Sequence, residues 1–184
     1  VALGMAIFEE HGWSASLDVP SSAMLSFLRN TQGAYNPVAY HNAKHASDVT
    51  HGVHWLSTQL PGLRGIAESP LMLFACVVAS IIHDVGHDGR GNAYHNATWD
   101  ETPGAEFALL YSDQSPLERH HCATGFRIMR DTGLLASLPL AGRKAVRDRI
   151  IGMVLGTDFS LHGKVMNDFK LMLNASMPGK ATAD

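Results

Sequence analysis

The sequence predicts an all-α, multi-helix domain, because apolar stripes recur at helical spacing and no segment shows the alternation of a strand. The chain of 184 residues is long enough for one domain with a substantial core. Its 46% hydrophobic and 17% charged residues and its net charge of −3 are typical of a globular protein. The net charge disfavours two classes of protein: a basic protein that binds nucleic-acid polymers, and a protein anchored to membranes by a polybasic segment.

The first half of the chain contains three predicted helices. Ser21-Ser22 supply an N-cap for a short amphipathic helix. An apolar stripe over residues 49–60 stops at Pro61-Gly62. Ser69-Pro70 then provide N-cap and first turn for the apolar run 71–82, which is too short to cross a bilayer. We therefore expect a buried core helix there, and no membrane segment in this chain.

The second half contains three more predicted helices. The first begins with a capping box over residues 115–118 and fades at Gly133. The second carries an apolar stripe over residues 146–155 and ends at Gly156, and Thr157 or Asp158 caps the third. Between the two halves, residues 86–104 are rich in Gly, Asp and Asn and are expected to be irregular. The polar residues 174–184 are expected to form a frayed tail.

Eleven histidines are unusual for this length, and several of them are clustered. His41 and His45 are four residues apart, so one helical turn brings them to the same side. His83 and Asp84 follow directly after the apolar run 71–82. Burial of an uncompensated carboxylate there costs several kcal/mol, so a metal or a strong hydrogen-bond partner is expected. Imidazole with carboxylate suits zinc, and carboxylate with water suits magnesium.

Each of these patterns also has a structural interpretation when it is considered alone. His41 and His45 would fit a pair at a helix end, and Asp84 could cap the turn that follows its helix. His120 and His121 would fit a polar helix face. The two cysteines lie in apolar helical patterns and are expected to be free thiols, which agrees with a reducing compartment.

Longer motifs decide between these interpretations. Tyr-His-Asn-x-x-His-Ala-x-Asp-Val at 40–49 and His-Asp-x-x-His-x-Gly-x-x-Asn at 83–92 resemble the paired signature of class I cyclic-nucleotide phosphodiesterases. Glu106, the Leu-Glu-x-His-His segment at 117–121 and Gly-Thr-Asp-Phe-Ser-Leu-His at 156–162 are similar to further family segments. The motifs appear in family order over residues 34–170, so the resemblance implies a partial phosphodiesterase catalytic domain of HD type over residues 1–184.

The resemblance implies roles for individual residues. The metal ligands would be His45, His83 and Asp84, with Zn²⁺ held tightly and Asp84 shared with a second metal, Mg²⁺ or Mn²⁺. His41 would be the general acid that protonates the leaving 3′ oxygen. Groups that orient water, ligands and acid would be His87, Glu106 and His121, and pocket-lining positions would be Tyr40, Asn92, Thr157 and Asp158. His11, His51, His54, His95 and His162 match no functional position and are expected to have surface or packing roles.

The sequence also departs from the family pattern. Asp88 stands where the family usually has Pro, and the loop 94–104 holds a few extra residues. The fourth zinc ligand, the glutamine that grips the purine and the aromatic residue that stacks on it would come from beyond residue 184. We therefore expect a domain that is incomplete at its C-terminal end and inactive alone. The choice between cyclic AMP and cyclic GMP cannot be read from this chain.

The function implied is metal-dependent hydrolysis of a 3′,5′-cyclic nucleotide to the 5′-monophosphate in cytoplasmic signal transduction. Regulatory domains or a membrane tether would lie in segments outside this chain. Two alternatives stay open: a truncated or degenerate copy that binds metal without turnover, and another HD-type metal phosphohydrolase.

Overall fold

The computed structural model describes residues 1–101 and 106–176, which are helical and contain no strand, as predicted. Two short 3-10 turns, Pro61–Leu63 and Phe159–Leu161, accompany the α-helices of these residues. The α-helices are α1 (Ala2–Glu10), α2 (Trp13–Ser16), α3 (Ser21–Ala34), α4 (Ala43–Gln59), α5 (Arg64–Ala67), α6 (Pro70–Ile82), α7 (Asn92–Ala97), α8 (Glu106–Tyr111), α9 (Pro116–Thr132), α10 (Leu140–Leu155) and α11 (His162–Ser176).

Helix α6 is the centre of the core. Its sequence is apolar on every side, and all residues from 73 to 82 are buried, as a helix packed on several faces requires. The Ser69 side chain accepts a hydrogen bond from the Met72 N–H, and Pro70 occupies the first turn, which confirms the predicted start. Helices α4 and α10 make the most extensive contacts with α6. The site residues at the end of α6 therefore stand on a rigid element.

The other helices complete the core around α6. Helix α3 packs against α9, and α1 contacts α2, α3 and α4. Trp13 is fully buried, and its ring meets Phe74 of α6 edge to face with centroids 5.1 Å apart. Such aromatic contacts add to the free energy gained by burying the two rings. The N-terminal helices thus cover one side of α6.

Several helix boundaries agree with the sequence prediction. Helix α4 ends just before Pro61, and α9 ends at Gly133, whose φ of +68° is the left-handed conformation that favours glycine at this position. Helix α10 ends before Gly156, and the Asp158 side chain accepts from the Ser160 N–H at the start of the next turn. Of the two predicted caps, Asp158 is therefore the one used.

Other boundaries correct the prediction. Helices α1 and α2 were not predicted, and α7 lies within the stretch 86–104 that was expected to be irregular. Residues 102–105 of that stretch lie outside the described part of the chain. Helix α3 begins at Ser21 itself, with Pro20 as the N-cap and no side-chain cap, so the expected serine cap is wrong.

The predicted capping box at residues 115–118 does not form. Ser115 is the N-cap of α9, but its backbone has a φ of +46° and its side chain makes no capping bond. Its hydroxyl donates instead to Asp158 Oδ2 at 2.7 Å, and Glu118 Oε2 accepts from the Asn92 amide at 2.9 Å. The side chains that would have capped the helix connect it to neighbouring segments.

Helix α11 continues to Ser176, so residues 174–176 of the expected tail are helical. Residues 177–184 lie outside the described part. Among the described residues, no single helix combines the length and hydropathy needed to cross a membrane. Two consecutive segments, Pro61–Ala67 and Pro70–Ile82, pass that test together, although they are bent by 99°.

Helices α6 and α9 approach closely at a glycine. A Cβ placed on Gly125 of α9 would lie 2.5 Å from Cδ1 and 3.0 Å from Cβ of Ile82. The second distance involves a carbon that cannot rotate away, so the two helix backbones would have to separate. Gly125 therefore sets the distance between α9 and the end of α6, where the histidine and aspartate follow.

We predict that Gly125→Ala destabilises the protein by about 1–3 kcal/mol through overpacking against Ile82. Gly152→Ala is the matched control, because Gly152 lies exposed in α10 with no atom within 4 Å of the new Cβ. That control is expected to stabilise the helix by about 0.5–1 kcal/mol. Denaturant unfolding of both variants checks the pair, and equal effects on the free energy of unfolding would contradict the close approach.

Candidate metal centre

Asp84 lies in the turn that follows α6, and its carboxylate is buried. The residue is 8% exposed, and its Oδ2 has no hydrogen-bond partner. Two imidazole nitrogens face this oxygen: His83 Nε2 at 3.1 Å and His45 Nε2 at 3.4 Å. Neither contact has hydrogen-bond geometry, so the oxygen is surrounded by ligand atoms but is not satisfied by them. A cation bound between the three groups would satisfy it.

The neighbouring histidines favour the ionised form of the Asp84 carboxyl group. Burial is the largest single influence on the pKa of Asp84 and raises it, but the surrounding histidines, His83 first, together outweigh burial and lower the pKa to about 2. His121 and His41 act in the same direction. The carboxylate is therefore ionised at neutral pH, which is the form that binds metal ions.

His83 is held in the tautomer that a metal ligand needs. Its Nδ1 lies 2.8 Å from the backbone oxygen of Ser80, one turn earlier in α6. Because a carbonyl oxygen only accepts, Nδ1 carries a hydrogen, and in the neutral ring that binds metal the Nε2 lone pair faces Asp84. Burial lowers the pKa of His83, but Asp84 and the Ser80 carbonyl outweigh burial and raise it, so without an ion the ring also favours a hydrogen on Nε2. A backbone carbonyl on the opposite ring nitrogen is the usual way of orienting a metal-binding histidine.

His45 reaches the site from the first turn of α4. Asn42 is the N-cap of this helix, and its Oδ1 accepts from the N–H groups of Lys44 at 2.9 Å and His45 at 3.3 Å. The Asn42 amide also donates to the Val38 carbonyl at 2.9 Å, which fixes the preceding loop. This role of Asn42 was not predicted, although an Asn before an apolar stripe is a standard N-cap signal.

Candidate ligand atoms of His45, His83 and Asp84 all lie within 4.8 Å of one another. Two imidazoles and one carboxylate form a set typical of catalytic zinc sites, which keep a further position open. Helices α4 and α6 pack against each other, so the two histidines approach from separate rigid elements. The three predicted ligands are thus brought together in one cluster, and the donor set fits zinc.

A second cluster shares Asp84 and adds His87 and His121, again with candidate ligand atoms within 4.8 Å. His121 is almost fully buried in α9, and burial lowers its pKa to about 3, so its ring is neutral. Its Nδ1 donates to the Val85 backbone oxygen at 2.9 Å, and its Nε2 lies 3.9 Å from Asp84 Oδ1. His121 therefore lies buried beside Asp84 and not on a polar helix face.

His87 has the opposite tautomer. Its Nδ1 accepts a hydrogen bond from the Gly89 N–H at 2.9 Å, so in the neutral ring the hydrogen is on Nε2. Burial, followed by the neighbouring His41, lowers the pKa of His87 and keeps the ring neutral. Its Nε2 is then a donor and not a metal ligand. His87 is suited to orient a water or an oxygen of a bound group.

His41 lies outside α4, two residues before its start, at the edge of these clusters. Its ring stacks on His87 with centroids 4.0 Å apart and planes 15° apart. The centroids of His41 and His45 are 5.8 Å apart, so the two rings are close. The helical turn expected to bring them together is absent, because His41 precedes α4. Tyr40 covers His45 at 4.5 Å and is 65% exposed. His41 and Tyr40 thus form the solvent side of the site.

The remaining predicted residues lie around this centre. The Asn92 amide is occupied by bonds that join α7 to α9: it accepts from the Leu117 N–H and donates to Glu118. Thr157 lines a groove of about 330 Å³ together with His83, and its hydroxyl donates to the Val154 carbonyl. Asp158 is buried and accepts from Ser115 and Ser160.

Two further positions, Glu106 and Asp88, make no contact with the candidate metal ligands that the structure records. Asp88 is the residue that stands where the family usually has Pro. Glu106 is the exposed first residue of α8, directly after the residues outside the described part of the chain. Asp88 accepts from the Arg90 N–H at 3.0 Å and lies 3.4 Å from His95 Nε2. His95 is buried, so its role is packing and not the surface role also considered for it.

Polar contacts that the sequence analysis did not single out hold the loop before α4. The Asn36 amide donates to the backbone oxygens of Gly86 at 3.2 Å and His87 at 3.0 Å. The Tyr35 hydroxyl donates to the Ile81 carbonyl at 3.0 Å, and burial raises its pKa. These bonds fasten the segment bearing His41 to the turn bearing Asp84, and no local sequence rule indicates them.

Comparisons with known proteins define the class to which this site belongs. Residues 40–182 match the sequence profile of the family described as 3′5′-cyclic nucleotide phosphodiesterase. The chain therefore belongs to the 3′,5′-cyclic nucleotide phosphodiesterase family. The match includes all the candidate site residues described above.

Individual relatives agree with the family assignment. The chain is 34% identical over 175 residues to mouse 3′,5′-cyclic-AMP phosphodiesterase 4C, and 33% identical over 170 residues to the rat protein of that name. These alignments include 94% and 91% of this chain but 24% and 30% of the relatives. The chain thus spans less than a third of the length of these curated relatives.

A solved structure shows the same fold. The phosphodiesterase domain of the RhoPDE fusion protein from the choanoflagellate Salpingoeca rosetta superposes with a TM-score of 0.82 at 27% sequence identity. The superposition covers 92% of this chain and 51% of that chain. The all-α fold is therefore that of phosphodiesterase catalytic domains.

We predict that His83→Ala removes one equivalent of bound zinc, because one of three converging ligand groups is lost. His51→Ala is the control, since His51 is an exposed histidine on the same helix as His45. Elemental analysis after dialysis, with circular dichroism to verify folding, gives the comparison. Retention of the same zinc content in His83→Ala as in His51→Ala would contradict the ligand assignment.

Proposed function

We propose that this chain supplies the metal-binding part of a metal-dependent hydrolase. The enzyme would open the 3′,5′-cyclic phosphodiester of a cyclic nucleotide to give the 5′-monophosphate. The observation that carries this proposal is the buried, unpartnered Oδ2 of Asp84 with the Nε2 atoms of His45 and His83 directed at it. The names of the mouse and rat relatives support cyclic AMP as a substrate, and cyclic GMP is the other candidate.

We assign the tightly held ion to Zn²⁺ at His45, His83 and Asp84, and a second ion, Mg²⁺ or Mn²⁺, to the Asp84 side facing His121. Two such ions polarise a phosphoryl group and lower the pKa of water. The protein's contribution is to hold the ligands in place. Asn42 fixes the start of α4, and the Ser80 carbonyl fixes the His83 ring.

His41 is the group we propose as proton donor to the leaving 3′ oxygen. It is half-buried at the solvent side of the site and stacks on His87, so its ring is oriented while it stays accessible to a substrate. A general acid must lie within hydrogen-bond reach of the oxygen it protonates. The contact with His87 fixes His41 beside the metal ligands, where a bound phosphodiester would lie.

We propose positioning roles for the surrounding residues. The Nε2–H of His87 would donate to a water or phosphoryl oxygen, and the Nε2 lone pair of His121 would accept a hydrogen bond from a water beside Asp84. Glu106 would act from the start of α8. Tyr40 would line the entrance and Thr157 the groove next to His83, while Asn92 and Asp158 would shape the pocket through their bonds to α9 and to Ser115.

A second candidate function is metal binding without turnover. It is favoured because the three protein groups that converge on the proposed zinc position do not include the fourth ligand that the family resemblance implies. Another HD-type metal phosphohydrolase is the remaining alternative. Hydrolysis of cyclic nucleotides compared with linear phosphate esters separates that class from the one proposed.

For location, we propose the cytoplasm. Both cysteines, Cys76 and Cys122, are free and buried in the core, and burial raises the pKa of each thiol. Unpaired thiols are typical of reducing compartments such as the cytosol.

We predict that His41→Ala lowers kcat by about 10²–10⁴-fold in the protein that contains this chain, because leaving-group protonation is lost. Zinc content is expected to be unchanged, since His41 is not a proposed ligand. His51→Ala is the matched control and should retain full turnover. Hydrolysis of cyclic AMP and cyclic GMP is measured alongside metal analysis.

Three outcomes separate the candidates. Loss of turnover with zinc retained supports the acid assignment. Equal turnover in His41→Ala and wild type would show that the acid is another group. No turnover in any protein, with zinc bound in all, would favour metal binding without catalysis.

A further inference from the structure

A second group of metal-binding side chains lies away from the metal centre. Glu10 and His11 end α1, and His54 projects from α4 towards them. The two histidine Nε2 atoms are 2.8 Å apart, and Glu10 Oε2 is 3.7 Å from His54 Nε2. Candidate ligand atoms of all three residues lie within 4.8 Å of one another. Nothing in the phosphodiesterase motifs accounts for this group.

This cluster is separate from the metal centre. His45 and His54 are nine residues apart on α4, which corresponds to about 13 Å along the axis and about half a turn around it. The two histidines therefore leave opposite faces of the helix. One face of α4 turns to Asp84, and the other turns to the end of α1.

The histidine rings of the cluster are oriented by packing. The His11 ring stacks on Trp13 with centroids 5.5 Å apart and planes 23° apart, and Trp13 is itself fully buried. The His11 backbone N–H bonds to the Ile7 carbonyl at 3.2 Å, which fixes the residue at the end of α1. The His54 side chain is 14% exposed. The Glu10 side chain is 60% exposed, so it is free to change its rotamer and move towards the two histidines.

Two facing Nε2 atoms at 2.8 Å constrain the protonation of the pair, since both cannot carry hydrogens that point at each other. Burial, followed by the charge of His54, lowers the pKa of His11 and favours its neutral ring. A neutral imidazole is the form that binds a transition metal. Without an ion, the pair is a single histidine–histidine hydrogen bond with Glu10 beside it.

We propose that Glu10, His11 and His54 form a second metal site, which binds a divalent transition ion of the zinc, nickel or copper class and joins the end of α1 to α4. With metal–nitrogen bonds of about 2.0–2.1 Å, two ligands at right angles are about 2.9 Å apart and two tetrahedral ligands about 3.3 Å. The observed separation of 2.8 Å fits the first geometry directly and the second after a small side-chain rotation.

The donor set also defines the class of ion. Two imidazoles with one carboxylate suit Zn²⁺, Ni²⁺ and Cu²⁺, whereas Ca²⁺ and Mg²⁺ prefer several oxygen ligands. The exposure of Glu10 leaves further coordination positions open to water. The ion would tie two helices that otherwise meet through side-chain packing, so binding should stabilise the folded chain.

Zinc stoichiometry tests this site. The full chain is titrated with Zn²⁺ alone in wild type, His11→Gln, His54→Gln and the control His51→Gln, in which an exposed histidine of α4 is changed. Glutamine keeps hydrogen-bonding capacity, and circular dichroism verifies folding. We expect His11→Gln and His54→Gln each to bind one Zn²⁺ fewer than wild type and His51→Gln. Unchanged stoichiometry in both variants would overturn the proposal.

The outcome is independent of the metal centre. His83→Ala removes a different equivalent of zinc, and the double variant His54→Gln/His83→Ala is expected to lose both. If the His54-dependent equivalent remains in His83→Ala, the second site stands whether or not the proposed function does.

Fluorescence locates the ion directly. In a Trp55→Phe/Trp99→Phe background, which removes two exposed tryptophans, Trp13 is the only emitter among the three tryptophans of the sequence. Cu²⁺ bound at His11 should quench it, because the two rings are stacked. The quenching should disappear in His11→Gln and His54→Gln. If Cu²⁺ quenches these variants as strongly as the background protein and over the same concentrations, the proposal is wrong.

Discussion

A carboxylate buried at the end of a buried helix is the constraint on which the rest of the site depends. The C-terminus of α6 already carries partial negative charge, so Asp84 adds an anion where the helix dipole disfavours one. Burial of such a charge is costly unless cations or donors surround it. His83, His45 and His121 supply nitrogens around it, yet Oδ2 remains without a hydrogen bond. This arrangement fits the metal site that we propose for His45, His83 and Asp84.

The backbone sorts the histidines around this carboxylate into different roles. The carbonyls of Ser80 and Val85 accept from the Nδ1 atoms of His83 and His121, which leaves the Nε2 lone pairs directed inward. His87 instead accepts from a backbone N–H and presents an Nε2–H. The same residue type is therefore prepared either to bind a metal or to donate a hydrogen bond. Local backbone geometry, and not residue identity, makes that distinction.

The sequence predicted the helices whose signals are local and strong. Helix α6 combined a serine N-cap, a proline and an apolar run, and it forms with those features. The candidate metal ligands were predicted because their motifs resembled a family, and spacing alone left structural interpretations open. The capping box at Ser115 was wrong because the backbone of Ser115 is left-handed and its hydroxyl bonds to Asp158, which is distant in sequence. Likewise, the histidine tautomers and the pairing of His11 with His54 depend on tertiary contacts that no sequence window contains.

The most direct measurement is anomalous X-ray scattering at the zinc edge from crystals of the chain grown with Zn²⁺. The account predicts an anomalous peak within bonding distance of His45 Nε2, His83 Nε2 and Asp84 Oδ2, and no peak there in crystals of Asp84→Asn. A wild-type structure in which these three groups keep their positions without a peak between them would contradict it. The carboxylate would then be held by the histidines alone, and the metal-dependent chemistry would have no site in this chain.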